Sequence, residues 1–92
     1  MIRIRFSGKF DQMYKEIVRE DREMRDFTNE AVGLFEKNPD DTRLDNHRLK
    51  RYMKGKWSFG VTDDVRIVYI WQSKNVVRFL AIGKHPQVYR KH

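Results

Sequence analysis

The chain contains no cysteine, which removes disulfides, thiolate nucleophiles and cysteine-ligated metals from consideration. Its mean hydropathy is −0.84, and no apolar run is long enough to span a bilayer. The basic start also lacks the hydrophobic segment of a signal peptide, so a soluble protein of the cytoplasm is expected. With two prolines and five glycines in 92 residues, no linker or repeat divides the chain, and the length suits one domain, residues 1–92. Gly55-Lys56 lacks the glycine-rich run and hydroxyl residue of a phosphate-loop ATPase. No paired aromatic motif of an RNA-recognition module is present. Asp63-Asp64 falls in an apparent turn, which leaves no carboxylate pair for glycosidase chemistry. His47, His85 and His92 do not follow a dense metal-ligand spacing, and neither metal nor cofactor is expected.

Positive charge is abundant and unevenly distributed. Residues 1–46 hold 9 Lys/Arg and 11 Asp/Glu, net −2, whereas residues 47–92 hold 11 Lys/Arg and 2 Asp/Glu, net +9. A polyanion is the simplest partner that rewards this arrangement, although it also suits solubility and an acidic protein.

The stretch WSFGVTDDVRIVYIWQSKNVVRFLAI, Trp57 to Ile82, is dense in β-branched and aromatic residues and predicts a sheet. Trp57, Phe59 and Val61 alternate. Thr62-Asp63-Asp64 and Ser73-Lys74-Asn75 supply turns on either side of a strand from Arg66 to Trp71, and Val76 to Ile82 follows, giving an antiparallel meander. Ile2 to Phe6 alternates apolar and basic residues, as a short edge or parallel-paired strand does. Phe10, Met13, Tyr14, Ile17 and Val18 have the spacing of one helical face, and Met24, Phe27, Ala31, Leu34 and Phe35 repeat it. The charged run Arg19 to Glu23 contains the bend of a helical hairpin, although no proline or glycine forbids one long helix. Asn38-Pro39 ends the helical region. Gly83 permits a turn into the tail, with Val88 or Tyr89 docking on the sheet. The expected class is α+β, in the order β, α, α, β, β, β with a four-stranded sheet.

Several residues carry usable chemistry. An unperturbed histidine can exchange a proton near neutral pH, which makes His85 the strongest proton-transfer candidate, while its ordinary alternative is polar surface. Arg66 is a charge in an apolar strand, suited to a phosphate or to a strand-to-helix salt bridge. Arg78 is the second such exception. Lys50, Lys54 and Lys56 alternate with Leu49, Met53 and Trp57 as a loop presenting positive charge, and Lys84 and Arg90 flank His85. His47 is a secondary acid/base, and Tyr89 suits base stacking or tail docking. On RNA such a set needs no metal: a base activates the ribose 2′-hydroxyl, cations stabilise the phosphorane-like state and an acid protonates the departing 5′-oxygen.

The combination His47-x-Leu49-Lys50, Lys54-Gly55-Lys56-Trp57-Ser58-Phe59, Thr62-Asp63-Asp64-x-Arg66-Ile67-Val68-Tyr69 and Ile82-Gly83-Lys84-His85-x-x-Val88-Tyr89 resembles the RelE/ParE superfamily of toxins from type II toxin–antitoxin systems. The resemblance implies a compact RelE-like fold and, for RelE-like members, cleavage of mRNA on the ribosome. It also implies a cognate antitoxin, with a toxin–antitoxin heterotetramer as one assembly. It further implies that Arg66 makes phosphate or transition-state contacts, that His85 is the catalytic histidine of YoeB-like and YafQ-like members, and that Tyr89 and His47 match positions used by such nucleases. Arg51, Gly60 and Val65 depart from the usual glycine, basic and aromatic residues, so the site is mixed in character. The alternatives within the superfamily are a ParE-like gyrase inhibitor without nuclease activity and a nontoxic antitoxin-binding homologue.

Overall fold

The computed structural model describes residues 2–50 and 53–88. Strand β1 (Arg3–Phe6) leads to helices α1 (Gly8–Glu20) and α2 (Glu23–Lys37), a 3-10 turn (Thr42–Leu44) and strands β2 (His47–Arg48), β3 (Trp57–Gly60), β4 (Val65–Ser73) and β5 (Val76–Lys84). A short helix α3 (His85–Val88) follows. The sheet has five strands in the order β1-β5-β4-β3-β2, with β1 parallel to β5 and all other pairs antiparallel. The expected four-stranded sheet is therefore one strand short. The extra strand, His47–Arg48, pairs with Trp57 and Ser58, and two residues are too few to show a periodicity.

Ser7 starts α1, its Oγ accepting from the Phe10 amide at 2.9 Å. The break between the helices needs neither proline nor glycine. Asp21 leaves the helical conformation at φ −147° while its amide still donates to Ile17, and its carboxylate accepts from the Glu23 amide at 3.1 Å. One aspartate thus closes α1 and opens α2. On α2 the inward stripe is Met24, Thr28, Ala31 and Phe35, and Phe27, expected inside, is 41% exposed. The hydroxyl of Thr28 is buried there without a hydrogen-bond partner among the described residues.

The core lies between these helices and one face of the sheet. Phe35 stacks on Phe59 at 4.6 Å and meets Tyr69 edge-on at 4.9 Å, with Phe79 T-shaped against both phenylalanines. The opposite face carries a smaller cluster of Met53, Val68, Ala81 and Val88. β3 stops at Gly60, so Val61 falls outside the expected alternation; the Val61 and Thr62 amides both donate to the Val65 carbonyl and close the turn. β5 runs straight through Gly83, where a turn was expected, because Arg66 and Val65 pair with Gly83 and Lys84. Among the described residues no helix is long and apolar enough to cross a membrane.

Candidate functional site

Arg66 points from β4 to the face opposite the large core, at the end of the sheet where β5 passes into α3. Its side chain is only 14% exposed, so its position depends on fixed acceptors. Nε donates to Ser58 Oγ at 2.7 Å, and Nη2 donates to the Ser58 carbonyl at 3.1 Å and the Asp45 carbonyl at 2.7 Å. Nη1 has a longer 3.5 Å contact with the Asp45 carboxylate. The salt bridge weighed for Arg66 thus exists, but it runs to the loop before β2 rather than to a helix. Space also matters: a Cβ at Gly60, which pairs with Arg66, would lie 3.3 Å from Nη1. Beside Nη1 opens a cavity of about 290 Å³ lined by Arg43, Asp45, Gly60, Thr62, Asp63 and Arg66.

Asp45 reaches the arginine through a local conformation its side chain tolerates, the left-handed region at φ 47°. Its neighbour Asn46 is pinned from two sides, donating to the Pro39 carbonyl at 3.0 Å and accepting from the Tyr69 hydroxyl at 2.8 Å. Burial pushes the Tyr69 phenol up to about 12, against a smaller opposing effect of the bond to Asn46. Asp41 begins the 3-10 turn, accepting from the Arg43 amide and guanidinium. Those bonds hold its carboxyl down at about 2. A core tyrosine and a surface ion pair therefore fix the segment that carries Asp45 and His47.

His47 lies with Nδ1 3.0 Å from the Asp45 carbonyl and 3.4 Å from Arg66 Nη2. An acceptor, the Asp45 carbonyl, and a donor, the Arg66 guanidinium, thus both face Nδ1 of an exposed ring, and each neutral tautomer serves one of them. His85 opens α3 and is exposed. It lies two residues beyond Gly83, the partner of Arg66, so the backbone delivers it to the same end of the sheet.

A family profile described as the bacterial toxin of type II toxin–antitoxin systems, YafQ, matches residues 2–90. The chain belongs to the YafQ family. That family lies within the RelE/ParE superfamily, and the solved structures it resembles are toxins of the same kind. YafQ from E. coli strain BL21(DE3) superposes with a TM-score of 0.79 at 18% identity, covering 98% of this chain and 100% of that one. A chain of the E. coli DinJ–YafQ toxin–antitoxin complex gives 0.77 at 18% identity, over 97% and 98%. A chain of the heterotetrameric YoeB–YefM complex from Staphylococcus aureus gives 0.73 at 22% identity, over 92% and 98%. No curated protein sequence matches the chain.

Among the described residues, the remaining sequence-derived candidates in this YafQ-family chain lie on the segment before β3 and on β5. Lys50 follows β2 and Lys54 lies in the turn before β3, both exposed, while Lys56 is half-buried. Lys84 pairs with Val65 at the end of β5. Arg78 is set apart: it pairs with Ile70 and Arg5, four residues along β4 from Arg66, or about 13 Å. Tyr89 and Arg90 lie outside the described residues. Sequence reasoning missed Ser58 and Asp45, the partners that orient Arg66. The period-2 alternation, which sets a small hydroxyl between Trp57 and Phe59, was a usable sign for Ser58. Asp45 gave none, because its contact spans 21 positions. Among the described residues no group of three or more His, Cys, Asp or Glu side chains could hold a metal ion.

Proposed function

We propose that the protein is the toxin of a type II toxin–antitoxin pair and acts as an mRNA endoribonuclease on ribosome-bound message in the cytoplasm. The observation that carries the reading is Arg66: a guanidinium held by Ser58 and Asp45 in a half-buried cleft, with His47 beside it and His85 arriving from the adjacent strand.

In the reaction, Arg66 Nη1 exchanges its long contact with Asp45 for a non-bridging phosphate oxygen. The ribose 2′-hydroxyl attacks the adjacent phosphorus as a histidine takes its proton, the O2′–P bond forms and the P–O5′ bond breaks. The second histidine gives its proton to the departing O5′, leaving a 2′,3′-cyclic phosphate and a 5′-hydroxyl. Charge on the phosphorane-like state is offset by Arg66, an effect of the size of an oxyanion-hole donor. His85 is assigned the acid role and His47 the base. Lys50, Lys54, Lys56, Lys84 and Arg90 hold the RNA backbone, and Tyr89 stacks on a base. No step calls for a metal.

The proposed partner is a cognate antitoxin, in an assembly like the DinJ–YafQ or YoeB–YefM complexes. Brief induction followed by transcript 5′-end mapping tests the catalytic reading. Cuts phased with the reading frame are expected, absent for folded Arg66→Ala and His85→Ala variants. Growth arrest with intact mRNA and inhibited gyrase would replace it with the gyrase-inhibitor class.

A further inference from the structure

We propose that a second cavity on the Arg66 face, of about 260 Å³, is a nucleobase pocket that receives the base adjoining the phosphate bound at Arg66. The proposal rests on the function proposed above and adds the feature that would select among RNA sequences.

The cavity originates in a bulge. Pairing passes from Val68 with Ala81 to Tyr69 with Phe79, so Leu80 has no partner across β4. The extra residue leaves Leu80 and Ala81 together on the Arg66 face, while Phe79 and Ile82 stay in the large core. Ser7 Oγ donates to the Leu80 carbonyl at 3.2 Å and ties the bulge to the start of α1. Val68 and Ala81 form the floor, and Met53 and Val88 pack with them.

Lys9, exposed, and Lys56, half-buried, are the charged residues of the lining, which includes no carboxylate among the described residues. An apolar floor beneath two cations fits a ring system carrying an anion, which is the make-up of a nucleotide. Continuity with the Arg66 site argues the same way. Val68 is two residues from Arg66 on one face, about 7 Å along β4, and it pairs with Ser58, which holds Arg66 Nε. A phosphate on Arg66 therefore brings its neighbouring nucleoside to this opening.

The test is titration of the protein with AMP, CMP, GMP, UMP and ribose 5-phosphate, following the methyl resonances of Met53 and Val88. Saturable shifts that differ between bases, with ribose 5-phosphate at least about tenfold weaker, are expected. They should vanish in Ala81→Leu, which fills the floor, and weaken in Lys9→Gln, an exposed change that keeps the proposal testable if Ala81→Leu fails to fold. Equal responses to nucleotides and ribose 5-phosphate, or no response at these methyls, would overturn the pocket. Folded Ala81→Leu should still cleave RNA with an altered base preference, and an unchanged preference also overturns it. Base-dependent shifts in a protein that cuts no RNA would sustain the pocket and remove the catalytic reading instead.

Discussion

Arg66 is held by acceptors that bind it without consuming its charge. Two carbonyls and a hydroxyl fix Nε and Nη2, whereas the one carboxylate, Asp45, stands 3.5 Å away with its side chain 80% exposed. An exposed pair of that length is worth about 0.2–1 kcal/mol, small enough for a phosphate to displace it. Asp45→Asn keeps a residue tolerant of the left-handed conformation and keeps the carbonyl contact. Its expected effect is a rise in kcat/KM for RNA of about two- to fivefold, carried by KM. Ser58→Ala leaves Nε unpaired and should lower kcat by about tenfold or more with the fold intact, as the arginine loses its aim. Steady-state kinetics on a model mRNA separate the two.

Tyr69 gives a pH signature at the same scale. Its folded value, about 12, lies above the ordinary 10, so between these values the folded state binds more protons than the unfolded chain. Stability from this residue is then complete below pH 10 and is lost as pH rises towards 12. Phenolate absorbance should show one of the four tyrosines titrating well after free tyrosine, with the denaturation midpoint falling over the same range.

Among the elements, the segment from Pro39 to Arg48 shows how an irregular stretch becomes rigid enough to support chemistry. Asn46 locks it to the Tyr69 hydroxyl and the Pro39 carbonyl, and β2 adds two residues of pairing on the sheet edge. Helix α2 contains the opposite situation, a Thr28 hydroxyl buried with no partner among the described residues. Thr28→Val removes that unsatisfied group at nearly constant shape. It should stabilise the fold by about 1 kcal/mol, read as a higher urea midpoint at unchanged slope. No gain would mean that the hydroxyl is satisfied in solution.

Over the whole molecule, the acidic first half and the basic second half translate into a helical layer and a sheet face of opposite character. If three or four cations of that face each neutralise one RNA phosphate, the affinity for single-stranded RNA should fall with salt with a logarithmic slope of about −2 to −3. Binding to an oligonucleotide made uncleavable by 2′-deoxy substitution measures it. A slope near zero would locate the affinity outside the cationic face.

The local patterns determined much of this architecture. The strands around Arg66 and Arg78, the stripe of α1, most of that of α2, a bend within Arg19 to Glu23 and a short strand at Ile2 to Phe6 follow from period, turn residues and charge, because each depends on neighbours within a few positions. Thr28 in place of Phe27 on the inner stripe, the two-residue β2, the passage of β5 through Gly83 and the bulge at Leu80 do not. They depend on which surface another element offers, and the chain close by carries no record of it. The same division runs through the site: Arg66, His47 and His85 stand out as residue types, while Ser58 and Asp45 acquire their roles only when β3 and the Pro39–Arg48 segment close on β4. A buried guanidinium must find acceptors, and folding alone decides which oxygens are within reach.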